Sequence, residues 1–262
     1  MINQPIGIFD SGIGGLTIWQ EIASFLPGES LIYFADQPYF PYGEKSNREI
    51  KVRAEKICQF LIKKNVKLIV IACNTATVSA IDFLRKKFSL SFIGSEPAIK
   101  PAAQITKTGV IGVLATRKTV KSRRQKNLID SLAWGKEVIS LDCSELTPLI
   151  EKGEIDSPET LEVLRKYLLP LKRKKIDVLV LACTHYPFFK KQIQNIIGLE
   201  VKIIDSGKAI AKQVKRILEE NNLLSNQGKG KRQFFTTGDP REFQIIANKF
   251  LGFPIKVNTV NL

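Results

Sequence analysis

The chain has 262 residues, 44% of them hydrophobic and 25% charged, which excludes disordered or collagen-like polypeptide and leaves room for one large domain or two small ones. Forty Lys and Arg against 25 Asp and Glu give a net charge of +15, but the basic residues fall in short runs near helix ends or in loops: Lys63-Lys64, Lys86-Lys87, Arg123-Arg124, Lys172 to Lys175 and Lys229 to Arg232. No aromatic-interleaved stripe, zinc-finger spacing or RNP-like motif accompanies them, so they read as solvated surface that can attract an anionic small substrate, and nucleic acid is not the expected partner. Apolar runs stop short of the roughly 18 to 20 residues of a membrane helix, and Met1-Ile-Asn-Gln-Pro5 lacks the basic-then-apolar layout of a leader. A cytoplasmic protein with no membrane partner is expected. Four cysteines are too few for a disulfide scaffold, and a reducing compartment leaves them as free thiols, buried filler or ligands.

In chain order, β-rich runs alternate with helical patterns. Strands are predicted near 6–9, 31–34, 68–72 and 92–95, and again near 110–114, 137–140, 178–182 and 201–204, an α/β arrangement. Ser46-Asn-Arg-Glu49 is a capping box opening a helix with Ile50, Ala54, Ile57 and Leu61 on one face. Ser157-Pro158 starts its counterpart, with Leu161, Leu164, Leu168 and Leu171 aligned. Ser225 to Lys231 reads as an exposed loop, and a strand near 233–236, a helix near 240–250 and a strand near 255–257 return to the first half.

The sharper signal is a repeat. Val66-Lys-Leu-Ile-Val-Ile-Ala-Cys73-Asn-Thr75 reappears as Ile176-Asp-Val-Leu-Val-Leu-Ala-Cys183-Thr-His185, so two similar half-molecules are predicted with a boundary near Pro97 to Pro101. Near-continuous apolar strands imply mostly parallel sheets covered on both faces. Cys73 and Cys183 then lie at carboxyl ends of strands, where open α/β sheets bind ligands, each near a helix N-terminus that favours thiolate. Cys58, inside a helical pattern, and Cys143, just past a strand, read as structural.

His185, the sole histidine, stands two residues after Cys183 and can orient or exchange a proton with it. A zinc site on Cys73, Cys183 and His185 competes, but a Cys-x-x-Cys pair is missing and a fourth ligand is unassigned; no metal is expected. Asp10-Ser11-Gly12-Ile13-Gly14-Gly15 follows the first strand as a phosphate cradle does, yet Asp10 would repel pyrophosphate. Its glycines can admit a small carboxylate to exposed N–H groups, or Asp10 can simply cap the next helix. Tyr39-Phe-Pro-Tyr42-Gly43 and Pro148-Leu-Ile-Glu151-Lys-Gly153 are loops expected over the site, with Glu151 on an exposed turn. Thr116 and Thr119 follow a strand, where their hydroxyls suit either an anion or helix capping.

Together, Phe9-Asp-Ser-Gly-Ile-Gly-Gly15, Pro41-Tyr-Gly43, Ala72-Cys-Asn-Thr-Ala76, Gly112-Val-Leu-Ala-Thr116 and Ala182-Cys-Thr-His-Tyr-Pro187 resemble the glutamate racemases of the cofactor-independent aspartate/glutamate racemase superfamily, across nearly the whole chain. The cysteine motifs are shared with aspartate and hydantoin racemases; the Asp-Ser-Gly and Pro-Tyr-Gly elements favour glutamate. The resemblance implies two similar α/β domains, 1–97 plus 207–262 and 98–206, facing across a central cleft, with no cofactor. It implies that Cys73 and Cys183 are acid/base thiols, that Asp10 assists Cys73, and that Glu151 and His185 assist Cys183. Substrate contacts would fall to Asp10, Ser11, Tyr42, Gly43, Asn74, Thr75, Thr116, Thr119, Thr184 and His185. Arg117-Lys118 departs from the family's habit of a glycine before the second threonine. The implied activity is interconversion of L- and D-glutamate for peptidoglycan precursor supply, and a homodimer is left open. Aspartate racemisation, a basic binding protein that has kept the fold, and a thiol redox protein are the competing readings.

Overall fold

The computed structural model describes residues 2–226 and 228–262. Met1, the first residue of the leader reading, and Gln227, inside the predicted 225–231 loop, lie outside the described residues. The chain is an α/β protein that divides into two compact units, one running through Ser95 and resuming at Gly207–Leu262, the other Glu96–Ser206.

The first unit begins with β1 (Ile6–Asp10), α1 (Leu16–Phe25), β2 (Leu31–Ala35), α2 (Asn47–Lys63), β3 (Leu68–Ile71), α3 (Asn74–Lys87) and β4 (Phe92–Gly94). The second contains α4 (Ile99–Ile105), β5 (Val110–Ala115), α5 (Arg117–Val120), α6 (Arg123–Leu132), β6 (Glu137–Asp142), α7 (Leu146–Glu151), α8 (Pro158–Arg173), β7 (Val178–Ala182), α9 (Lys190–Ile197) and β8 (Lys202–Asp205). The chain returns to the first unit through α10 (Gly207–Glu220), β9 (Arg232–Thr236), α11 (Pro240–Leu251) and β10 (Val257–Thr259). The last strand starts two residues later than the sequence pattern places it, because the register that pairs Val257 with Phe234 fixes its start.

Six strands in the order β10-β9-β2-β1-β3-β4 form one sheet, and four in the order β6-β5-β7-β8 form the other; all neighbours run parallel. Strands β1, β2, β3 and β7 are buried at every residue, which explains their unbroken apolar character. Helix α2 has both halves of the capping box and buries Ile50, Ala54, Ile57 and Leu61 on one stripe. In α8, Pro158 sits in the first turn, where its missing N–H costs nothing, and Leu164, Leu168 and Leu171 are buried. Each such leucine contributes about 1.5–3 kcal/mol by leaving water.

The returning segment is bound by specific contacts as well as by the β2–β9 ladder. Lys67 Nζ, 2.6 Å from Glu29, donates to the carbonyls of Ile2 and Leu223, while Ser225 N donates to Glu29. Within the predicted exposed loop, Gly230 is buried and lies so close to the Glu29 backbone that a Cβ would collide with it.

The strand orders locate a switch point in each sheet. In the first, the chain moves from β1 outward to β2 and then back to β3 on the other side; in the second it does the same from β5 to β6 and back to β7. Beyond the carboxyl ends of such strands, the following loops diverge to opposite faces and leave a crevice for ligand. β1 and β3 lead into Asp10-Ser11 and Cys73, and β5 and β7 into Thr116 and Cys183.

Candidate active site

At the first switch point, Cys73 is the residue before α3, and its Sγ accepts from Ala76 N at 3.4 Å as the helix cap. Ser11 Oγ stands 3.8 Å from the same sulfur. A thiolate here is favoured by the Ala76 N–H and by the dipole of a 14-residue helix. Asn74 and Thr75 follow within the first turn, both buried, with Asn74 Nδ2 tied to the Ser95 carbonyl.

Asp10 is fully buried at the end of β1. It does not cap α1, whose N-cap is Gly15; instead its Oδ1 accepts from Gly12 N at 3.0 Å, folding the glycine-rich turn around the carboxylate. Gly15 is required by close approach, since a Cβ would lie 2.6 Å from Asp10 Cβ and 2.8 Å from Tyr33 Oη. Tyr33, from β2, donates to the Gly12 carbonyl at 2.7 Å and so fixes the turn from below. Tyr42 is buried and Gly43 half-buried, on a 3₁₀ turn (Tyr42–Glu44) packed against α3. Burial first, then the neighbouring Asp36 and Cys73, raises the Tyr42 pKa, so its hydroxyl remains a proton donor.

At the second switch point, Cys183 Sγ lies 3.8 Å from His185 Nδ1, and His185 Nε2 lies 2.7 Å from Glu151 Oε1. Glu151 ends α7 with its side chain only 13% exposed, so it is not on the solvent-facing turn expected from sequence; α7 turns it inward to the imidazole. The setting of Cys183 also departs from expectation. The backbone after it forms a four-residue 3₁₀ turn (Tyr186–Phe189), with Pro187 inside it, before α9 begins. Cys183 therefore lacks the long-helix N-terminus that Cys73 has.

His185 is buried, which by itself lowers its pKa, but hydrogen bonds to Cys183 and Glu151 and the charges of both outweigh burial and hold it well above the usual imidazole range. Thr116 and Thr119 do not cap through side chains; Thr116 Oγ1 donates to Thr119 Oγ1 at 3.1 Å, and Thr119 is fully buried. Thr184 is also buried. In the Arg117-Lys118 pair that departs from the family pattern, the Arg117 side chain points away and donates from Nε to Asp142 at 2.8 Å, while its backbone N donates to Ser144 Oγ. The Cys58 and Cys143 thiols are both pushed up by burial, first of all causes, which keeps them protonated and fits a structural role.

The structure thus gathers Asp10, Ser11, Tyr42, Asn74, Thr75 and Cys73 in the first unit, and Thr116, Thr119, Glu151, Cys183, Thr184 and His185 in the second. Buried polar groups in such numbers are costly unless partnered or used. Among the described residues no three His, Cys, Asp or Glu side chains form a group able to hold a metal ion, and no helix is long and apolar enough to cross a membrane. Sequence reasoning missed Tyr33, and it missed the pair Asp36 and Arg53. A signal for the latter was present, since Arg53 interrupts the apolar stripe of α2 and Asp36 directly follows β2.

A family profile described as Asp/Glu/Hydantoin racemase matches residues 16–214. Glutamate racemase of Herpetosiphon aurantiacus is 45% identical over 244 residues, covering 93% of this chain and 96% of that one. The structure of glutamate racemase isoform RacE1 from Bacillus anthracis superposes with a TM-score of 0.91 at 34% identity, covering 100% of this chain and 99% of that one. Glutamate racemase from Francisella tularensis, solved with D-glutamate, superposes at 0.87 and 34% identity, covering 100% and 98% of the two chains.

Proposed function

The chain belongs to the Asp/Glu/hydantoin racemase family and is an amino-acid racemase, an isomerase; from that premise we propose that it interconverts L- and D-glutamate by a two-thiol acid/base mechanism. The observation that carries this reading is the equivalence of Cys73 and Cys183, each the thiol that leaves the inner strand of a parallel sheet at its switch point. Glutamate is the substrate in the names of the relatives, and D-glutamate occupies the Francisella tularensis structure.

Inverting a tetrahedral carbon requires a base on one face and an acid on the other. One cysteine acts as thiolate and removes the α-proton; its partner, as thiol, delivers a proton to the opposite face. The roles exchange for the reverse direction. A thiol of ordinary pKa ~8.5 serves in either state with modest help, whereas two thiolates around one substrate repel each other. Asp10 assists Cys73, and His185 with Glu151 assists Cys183. The imidazole, held between sulfur and carboxylate, suits proton exchange and stabilisation of the thiolate.

The α-carbanion is the costly species. The N-terminal end of the α3 dipole, the backbone of the Asp10–Gly15 turn, and the hydroxyls of Ser11, Thr75, Thr116, Thr119 and Thr184 are suited to hold carboxylate charge as it builds, with Asn74, Tyr42 and Gly43 completing the substrate contacts. Water excluded from such a site strengthens each of these bonds. The product supplies peptidoglycan precursors, and a cytoplasmic setting keeps both thiols reduced. A homodimer remains the assembly to test by sedimentation.

The purified protein, without added metal or cofactor, is expected to exchange the α-hydrogen of both glutamate enantiomers in deuterated water and to bring either one to an equal mixture. Absence of exchange from both enantiomers overturns the proposal. Faster turnover of aspartate than of glutamate overturns the substrate assignment alone.

A further inference from the structure

The Tyr42–Gly43 turn is short, flanked by loop, and has little regular structure to hold it, yet its tyrosine is buried. What holds it is Asp36, the residue after β2. Asp36 is fully buried, and its Oδ2 accepts from Tyr42 Oη at 2.6 Å and from Arg53 Nε at 3.0 Å. Its Oδ1 accepts from Arg53 Nη2 at 2.6 Å and from Thr237 Oγ1 at 2.8 Å. Two-point pairing with guanidinium gives the carboxylate a fixed plane, so the remaining lone pairs point in set directions.

Arg53 itself is locked. Its side chain is 7% exposed, comes from the buried stripe of α2, and lies with its guanidinium carbon 3.8 Å from the centre of the Tyr39 ring. The backbone completes the frame, as Asp36 N donates to the Asp10 carbonyl and Tyr39 N to the Asp36 carbonyl. Asp36 thus joins the end of β1, the 37–45 loop, α2 and the chain beyond β9.

We propose that Asp36, clamped by Arg53, is a positioning residue that sets the Tyr42–Gly43 turn for the substrate. This rests on the reading above that Tyr42 and Gly43 contact glutamate. A fixed turn removes loop ordering from the cost of binding.

The test is a double-mutant cycle of Asp36→Asn and Tyr42→Phe, read as KM and kcat for glutamate on folded protein. Each single variant is expected to raise KM about tenfold with kcat changed less than about threefold, and the double variant to be no worse than the poorer single one. Unchanged KM, a loss confined to kcat, or effects that multiply in the double variant overturns the inference. Should Asp36→Asn not fold, Thr237→Val takes its place in the same cycle, with a KM rise of about two- to threefold expected and unchanged KM overturning the inference. Wild-type exchange of the α-hydrogen separates the two readings: with exchange intact and KM unmoved in the variants, only the Asp36 assignment fails; without exchange, the racemase reading falls first.

Discussion

The two switch points support their thiols by different means. Cys73 caps a 14-residue helix, with an amide N–H at 3.4 Å and a serine hydroxyl nearby, so fixed dipoles and a hydroxyl surround its sulfur. Cys183 leads into a 3₁₀ turn, and its sulfur instead faces an imidazole backed by a carboxylate at 2.7 Å. One setting adds backbone dipoles, which cannot titrate, to the proposed help of Asp10; the other depends on a side-chain pair that can titrate. Two groups that exchange acid and base roles need comparable proton affinity, and this can be reached from unlike surroundings.

The largest effect separates thiols that are both required from one that dominates. Cys73→Ala and Cys183→Ala are each expected to lower racemisation by at least about a thousandfold, the scale of a lost general acid or base, measured by chiral separation of product. A variant retaining more than a tenth of wild-type racemisation would sink the two-thiol mechanism.

Glu151→Gln sharpens the comparison at a smaller scale, about ten- to a hundredfold, because it weakens only the relay behind Cys183. Enantiomers have equal free energy, so kcat/KM must fall equally in both directions. The asymmetry is expected in the primary α-deuterium isotope effect, which should rise in one direction only, and Asp10→Asn should raise it in the other. Equal rises in both directions would mean that the two supports do not act on separate thiols.

The smallest effect concerns stability. His185 gains its partners on folding, so its folded pKa lies above the unfolded value of ~6.5; the stabilisation is complete below ~6.5 and is lost as pH rises through the raised value. The Tm difference between wild type and His185→Asn should be widest below that pH and narrow above it. A difference that is flat or grows with pH contradicts the relay as described.

Much of this was legible in sequence because local pattern encodes it. The continuous apolar runs of β3 and β7, the stripe of α2 and the Ser46 and Ser157 caps each report which face of a segment leaves water. The repeated Ala-Cys strand ends required only that similar segments fold alike. Other readings failed where the answer lay outside the segment. Glu151 looked solvent-facing because nothing near it in the chain announces His185, and the alternative that Asp10 only caps the next helix stayed open because its turn could have closed that way.

The amino-acid sequence by itself determined the α/β alternation, the two-fold plan and the candidate thiols, since strand and helix periodicity and turn chemistry act over a few residues. Only the tertiary structure decided that Glu151 backs His185, that Tyr33 pins the Asp10 turn, and that Asp36 binds Arg53, Tyr42 and Thr237 together. The identity of a polar partner is set by which distant side chain the packed layers carry to hydrogen-bond distance, and a buried carboxylate must find one wherever the fold supplies it.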